Sequence, residues 1–207
     1  MEKTDLTKVF KQYFSAKAKP ELVDIEAAQF ISITGKGDPS GDAFAGSIQA
    51  LYTAAYGIKF FYKEQGKDFV VSKLEGLWQF DLEKYKGIGM ADAPASIPRS
   101  EWEYRLLIRM PDFVSREVVE KALPEISIKK ENAQVKQVEW FEMKEGKSVQ
   151  MLHVGPFSTE PESLALMAQF MAEKGLAHNG LHHEIYLSDF RKTPDAKLKT
   201  ILREPVK

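Results

Sequence analysis

The sequence contains no cysteine, and this absence removes a whole class of chemistry. Without thiols the chain can form no disulfides, use no thiolate nucleophile and bind no zinc through sulfur. A cysteine-free composition is typical of a reducing compartment, so we expect a cytoplasmic location. The first residues lack the apolar core of a signal peptide, and no apolar run approaches the ~20 residues of a membrane-spanning helix.

An excess of charge of one sign is also lacking. Lys and Arg total 29 against 30 for Asp and Glu, which gives a formal net charge of −1. Domains that mainly bind nucleic acid usually carry a basic excess, so we expect no direct nucleic-acid partner, with a local basic patch as the alternative. The lack of a long apolar run leads us to expect no membrane partner. The 207 residues, 43% of them hydrophobic, are enough for one well-buried core or two small fused modules. A monomer and a homodimer both remain open.

The first half of the chain alternates helical and extended patterns. Apolar residues at helical spacing before Pro20 predict that residues 1–19 form a helical extension. A broad apolar stripe predicts a long helix at 42–65, after a loop rich in Gly and Pro. The predicted strands of this half are 21–34, 69–81 and 101–110.

The second half repeats this alternation. Ser115 is a typical N-cap for a helix that runs to about Leu123. A second helix begins at Ser158 or Thr159 and ends at Gly175. The predicted strands of this half are 134–143, 147–154, 181–189 and 198–204. Turn residues at 145–147 predict that the first two of them form a hairpin.

The order of elements is similar in the two halves, and glycines recur at nearly equal offsets: Gly35 with Gly155, and Gly57 with Gly175. We therefore predict an α+β fold in which duplicated strand-helix-strand-strand units form one pseudo-twofold antiparallel-sheet domain. The domain spans 20–207, with repeats at about 20–110 and 111–207. Ligand pockets often lie at the interface between two structural units, so we expect a central ligand cleft between the repeats.

Glu184 lies in the middle of the predicted strand 181–189. Alternation places it on the same face as His182 and Tyr186, and places His183 on the other face. A carboxylate between aromatic neighbours is costly to desolvate, and it can bind a cation, accept a hydrogen bond or activate water. The alternative is a solvated edge face with ordinary polar residues. No metal site is expected, because adjacent strand residues point in opposite directions and no second ligand cluster follows.

Three segments resemble the GyrI-like small-molecule-binding family. They are Leu74–Trp78, Trp102–Leu106 followed by Met110–Pro111, and His183–Asp189, of which the last is the most specific. The resemblance extends over nearly the whole chain beyond the N-terminal helix. It implies a duplicated strand-helix-strand-strand architecture with a ligand cleft between the repeats. It also implies that Glu184 is the acidic residue of that cleft.

Members of this family have several kinds of function. Some are effector domains that bind bulky aromatic cations and are fused to DNA-binding helices, some stand alone and include a gyrase inhibitor, and some are hydrolases that open the cyclopropane ring of DNA-alkylating natural products. This chain has no room for a DNA-binding module and has Trp-rich strands, so it is more similar to the hydrolases. The alternatives are a non-catalytic protein that binds or sequesters drugs, and an interaction module that acts on a topoisomerase. No cofactor is implied.

The hydrolase hypothesis assigns chemical roles to Glu184 and Tyr104. Glu184 accepts a proton from an attacking water, provided that burial raises its affinity for protons. Tyr104 or Tyr186 donates a hydrogen bond to the water or to the developing oxyanion. For Tyr104 the alternative is core packing, because its predicted face also carries apolar residues.

The remaining candidates are expected to bind the planar body of the ligand. Trp78 and Trp102 would stack against it, and Phe141 is a further candidate contact. Each of the three has core packing as its alternative, since large aromatic side chains dominate cores.

Overall fold

A computed structural model describes residues 3–89 and 91–207. The strands are β1 (Glu21–Ile25), β2 (Ala28–Lys36), β3 (Leu74–Gln79), β4 (Glu103–Arg109), β5 (Glu139–Met143), β6 (Gly146–Val154), β7 (His182–Tyr186) and β8 (Lys199–Pro205). The helices are α1 (Leu6–Val9), α2 (Asp42–Glu64), α3 (Ala93–Ser96), α4 (Arg116–Lys129) and α5 (Glu160–Glu173). In the described part of the chain, no helix has both the length and the apolar character needed to cross a membrane.

All eight strands belong to one antiparallel sheet, in the order β1-β6-β8-β7-β3-β4-β2-β5. The predicted α+β class is therefore confirmed. The order of elements β2-α2-β3-β4 recurs as β6-α5-β7-β8, and the two sets occupy mirrored positions about the β3–β7 pair. Duplication of an ancestral unit stays a prediction.

The sheet is curled. Only two residues separate β1 from β2, and only two separate β5 from β6, although each of these pairs is six positions apart in the sheet. Six strand spacings in a flat sheet would amount to about 29 Å, whereas a two-residue connection reaches about 11 Å. The two ends of the sheet must therefore approach each other.

Different elements pack on the two faces of the sheet. We call the face under α2, α4 and α5 the helical face. Its apolar residues form two clusters, one packed with α2 and α4 and the other packed with α5. The inside of the curl is the back face, where Phe30, Leu77 and Ile185 pack against Leu6 and Phe14 of the N-terminal segment. This segment is helical only over α1 and continues as turns, and residues 1–2 of the predicted extension lie outside the described part.

Several sequence predictions are confirmed and others are wrong. The predicted helix at 42–65 matches α2, and the Ser115 Oγ accepts a hydrogen bond from the Val118 N–H at the start of α4. Helix α4 nevertheless continues beyond Leu123 and contains Pro124. The predicted strand 21–34 is two strands, β1 and β2.

The predicted hairpin between β5 and β6 is wrong. β5 pairs with β2, whereas β6 pairs with β1 and β8. The connection carries Glu145, whose carboxylate is buried against His183 and Arg203. These buried ion pairs hold the connection inside the curl, so the chain passes from one end of the sheet to the other instead of reversing on itself.

A buried charge network joins the N-terminal segment to the back face. The two nitrogens of His183 lie 2.9 Å from Glu75 Oε2 and 2.9 Å from Glu145 Oε1. Arg203 donates to Glu145 Oε2 at 2.9 Å, and the Tyr13 hydroxyl donates to Glu75 Oε2 at 2.5 Å. Burial by itself would raise the pKa of Glu145, but His183 and Arg203 outweigh it and hold the pKa at about 2.

Replacement of Glu145 by Gln should lower the free energy of unfolding at neutral pH by about 3–5 kcal/mol, because it leaves the buried Arg203 guanidinium without a carboxylate and removes one of the two carboxylates that pair with His183. The charge of Glu145 contributes this stability above its ordinary pKa of 4.5 and loses it as the pH falls towards about 2. The variant and the parent should therefore converge in acid. Urea unfolding at a series of pH values measures the difference.

Glu139→Gln provides the control, since Glu139 is 56% exposed in its ion pair with Arg105. Its effect should stay below about 1 kcal/mol. Equal losses in the two variants would contradict the assigned role of Glu145.

Candidate functional site

A cleft of about 530 Å³ opens on the helical face, where β3 and β7 meet. Its aromatic walls come from both halves of the chain: Phe44, Trp78, Trp102, Phe157, Tyr186 and Phe190. Phe44 stacks on Trp78 with 5.7 Å between ring centroids, and Trp102 meets Trp78 edge-on at 6.0 Å. A cavity of this size and lining suits a planar organic molecule.

A glycine leaves room for the contact between two walls of the cleft. Gly76 lies opposite Glu184 in the β3–β7 pair. A Cβ atom there would lie 3.0 Å from Trp78 Nε1 and 3.1 Å from the Tyr186 hydroxyl oxygen. The indole Nε1 donates a hydrogen bond to this hydroxyl at 3.1 Å. A side chain at Gly76 would therefore press on the contact that joins the two walls.

Glu184 lines the cleft, and its side chain is only 13% exposed. His182, two residues earlier on β7, shares the face with it as alternation predicts. His182 Nε2 lies 3.3 Å from Glu184 Oε1, and His182 Nδ1 lies 2.7 Å from Glu204 Oε1. Glu204 also contacts His178 at 3.3 Å. The carboxylate of Glu184 thus has a cationic partner inside the cleft.

The protonation of His182 follows from these contacts. Burial alone would lower the pKa of His182, but the charge of Glu204 and the hydrogen bonds that His182 donates to Glu184 and Glu204 raise it to about 10. Conversely, burial would raise the pKa of Glu204, but His182 and His178 hold it at about 2. At neutral pH the cleft therefore contains an imidazolium next to Glu184.

A second acid lines the same cleft, and the sequence analysis missed it. Glu160 is the first residue of α5 and is 7% exposed. Its Oε1 atom has no hydrogen-bond partner among the described residues. Burial and then the charge of Glu184 raise the pKa of Glu160 well above its usual range, and His182 and the Thr200 hydroxyl oppose this rise only in part. In the sequence, Glu160 looks like any acidic residue in the first turn of a helix, as does Glu162.

Two of the predicted site residues lie outside the cleft lining. Tyr104 is buried beneath α2, where its ring meets Phe44 edge-on at 4.9 Å and its hydroxyl lies 3.3 Å from Ser47 Oγ. It supports the wall from behind, and Tyr186 is the tyrosine that lines the cleft. Phe141 lies on the back face against Phe30, because it occupies the opposite phase of strand alternation from the cleft residues.

Trp78, Trp102, Glu184 and Tyr186 are brought together as the sequence analysis expected. Within residues 3–89 and 91–207, no group of three or more His, Asp or Glu side chains is arranged to hold a metal ion.

Comparisons with known proteins show which family and which structures this chain is similar to. The model of a GyrI-like small molecule binding domain matches residues 116–207. The structure of an uncharacterized conserved protein from Listeria innocua is 38% identical, with a TM-score of 0.87, over 99% of this chain and 100% of that chain. The chain belongs to the GyrI-like family. A search of curated proteins found no match.

Two further structures are similar to this GyrI-like protein, one at high sequence identity and one at low sequence identity. One structure from Listeria innocua, described as a hydrolase, is 37% identical with a TM-score of 0.86. The match extends over 100% of this chain and 100% of that chain. The C-terminal domain of EcmrR is 12% identical with a TM-score of 0.55, over 91% of this chain and 97% of that domain. At that identity the likeness to EcmrR concerns the fold alone.

In this GyrI-like protein, the His182 imidazole should titrate near pH 10 instead of near its ordinary value of 6.5. Its charge then contributes stability in full below about pH 6.5, and this contribution is lost as the pH rises through about 10. Replacing Glu204 with Gln should lower the His182 pKa, because it removes the largest favourable charge. Nitrogen chemical shifts followed by NMR measure both values. A wild-type pKa near 6.5 would contradict the ion pair.

Proposed function

We propose that this protein binds neutral, planar aromatic molecules and hydrolyses a strained ring on them, such as a cyclopropane conjugated to a carbonyl group. The observation that carries the proposal is the carboxylate of Glu184 inside an aromatic-walled cleft. The walls suit a flat ligand, and a desolvated carboxylate can take a proton from water. Such a reaction on DNA-alkylating natural products would give resistance to them.

The proposed chemistry requires a nucleophile at the strained carbon and a donor near the oxygen that gains charge. Glu184 accepts a proton from water as the new carbon–oxygen bond forms and the ring carbon–carbon bond breaks. The bonding electrons move through the conjugated system to the carbonyl oxygen. Tyr186 is placed to donate a hydrogen bond because it lines the cleft. Burial and then the charge of Glu184 raise its pKa well above the usual range, so the phenol stays protonated as it donates.

The similar proteins support a hydrolase. Two structures from Listeria innocua described as hydrolases are 38% and 37% identical to this chain and match it over nearly its full length. The identity is high enough for the cleft to be built from equivalent elements.

The alternative is a protein that binds drugs without reacting with them, as the small-molecule-binding family description allows. For a cationic ligand, such a protein needs a carboxylate whose charge is free to neutralise it. Here the Glu184 carboxylate already has His182 at 3.3 Å, and the pKa of His182 is raised to about 10. Because the charge of Glu184 is already compensated, the cleft favours neutral ligands. Neutral planar molecules are the substrates of the proposed hydrolase, so this favours the hydrolase over a protein that binds cations.

Glu184→Gln should reduce turnover of a cyclopropane-bearing planar aromatic substrate by about 100-fold or more, because it removes the base. The dissociation constant should change little, since stacking on the aromatic walls remains. Mass analysis of the ligand, which gains one water on hydrolysis, measures turnover, and tryptophan fluorescence measures binding.

Glu173→Gln, an exposed change on α5, is the control and should leave both quantities unaltered. Reversible binding by the wild-type protein with no ring-opened product would refute the hydrolase. In that case, a Glu184→Gln variant that loses affinity only for cationic ligands would identify the binding protein.

Trp102→Ala should raise the dissociation constant of a planar aromatic ligand by about 10-fold, which corresponds to the loss of ~1.4 kcal/mol of stacking. Trp140→Ala is the matched control, because Trp140 lies on β5 outside the cleft lining and its Nε1 donates to Glu142. Fluorescence titration of both variants measures the change. Equal losses of affinity would place the ligand elsewhere.

A further inference from the structure

We propose that Glu160 is the proton donor of the reaction, acting as the acid partner of Glu184 across the cleft. This inference rests on the proposed hydrolase function and adds a second catalytic residue to it. The two carboxyl groups come from different elements, α5 and β7, and both line the cavity.

The position of Glu160 is the first argument. A 3₁₀ turn at Phe157–Thr159 leads into α5, and Phe157, Ser158 and Glu160 all line the cleft. The helix therefore begins at the cleft wall with its first side chain buried in it. Glu162, two residues later, is exposed and is the residue placed for an ordinary favourable contact with the helix N-terminus.

The unsatisfied oxygen of Glu160 is the second argument. Leaving a buried polar atom without a partner destabilises the folded state, and such exceptions in folded proteins call for an explanation. Oε1 of Glu160 is such an atom within the described residues. A ligand in the cleft whose oxygen accepts a hydrogen bond from a protonated Glu160 would satisfy it.

The surroundings of Glu160 decide its protonation. Glu184, His182 and Tyr186 face it from β7, and Thr200 faces it from β8. His153 on β6 has its nitrogens engaged by Ser163 Oγ at 2.9 Å and the Pro156 carbonyl at 3.2 Å.

Burial first, and then the charge of Glu184, raise the pKa of Glu160 well above its usual range. The helix N-terminus acts in the opposite direction, because its partial positive charge favours an ionised carboxylate. On this proposal Glu160 carries the proton, and Glu184, whose partner is a cation, does not. Environments that separate two carboxyl groups in this way are the usual basis for one acid and one base in a single site.

The step balances with water as the only co-reactant. Water adds through its oxygen to the ring carbon, its proton goes to Glu184, and the ring carbon–carbon bond breaks. The electron pair arrives at the conjugated carbonyl oxygen, which takes the proton of Glu160. The product is a ring-opened alcohol that carries a new hydroxyl at the former carbonyl. Glu160 is left ionised and Glu184 protonated, and transfer of one proton from Glu184 to Glu160 restores the starting state.

The test compares Glu160→Gln with the matched control Glu162→Gln. Gln keeps the size of the side chain and removes the transferable proton. We expect kcat of Glu160→Gln to fall by about 100-fold with KM nearly unchanged, and the loss of activity at high pH to disappear from its profile. Glu162→Gln should behave as the wild type does. Glu160→Asp should recover part of the activity with a shifted profile.

A second measurement needs no substrate. A protonated carboxyl group should give an infrared carbonyl band at neutral pH in the wild type and in Glu162→Gln. The band should be missing from Glu160→Gln. A wild-type protein without this band would overturn the assignment even if the variant fails to fold.

The outcomes separate the two proposals. Wild-type turnover that Glu160→Gln retains in full overturns the role of Glu160 and leaves the hydrolase standing. Absence of any turnover by the wild type overturns both. Turnover that depends on Glu160 but not on Glu162, together with the infrared band, supports both.

Discussion

The pairing of β3 with β7, and the charges buried on both sides of it, is the constraint on which the rest of the structure depends. Consecutive histidines point to opposite faces of β7, and each is held between two carboxylates. His182 and Glu184 line the cleft, while His183 and its partners lie inside the curl of the sheet. Buried charges are tolerated only when they are paired, so a shift of register in β7 would unpair both sets at once. Glu184 is fixed at the centre of the molecule as a result.

The two faces of the sheet differ in what they carry: the back face carries the buried charge network, and the helical face carries the cleft. The back face uses its charges to tie the N-terminal segment, the β5–β6 connection and β8 to the central pair. The helical face instead leaves space between α2 and α5, and Gly76 leaves room for the contact between Trp78 and Tyr186 in the walls of that space. Aromatic rings from both halves enclose it, so water is displaced where a flat ligand would bind. A charge in such a place interacts more strongly with its neighbours than one on the surface, because little solvent screens it.

How far the site could be predicted depends on the residue. Strand alternation around Glu184 was sufficient to place His182 and Tyr186 beside it, because neighbours on one strand obey a fixed geometry. Alternation also put Tyr104 on the correct face, but α2 covers that part of the face and buries the ring. Phe141 had no such support, since its facing depends on how β5 pairs with β2. Glu160 was missed because nothing in its local sequence distinguishes it from Glu162.

By itself the sequence determined what short-range rules govern: the absence of thiol chemistry, the long helix after the first loop, the Ser115 cap and the two faces of β7. Three of its segments also resemble the GyrI-like family, and this resemblance indicated a ligand cleft with one acidic residue. Only the tertiary structure decided that β5 and β6 separate to opposite ends of a curled sheet. It likewise decided that a second acid meets Glu184. Both depend on contacts between residues far apart in the chain, whose energies come from burial and charge pairing in the assembled core, and no local pattern encodes them.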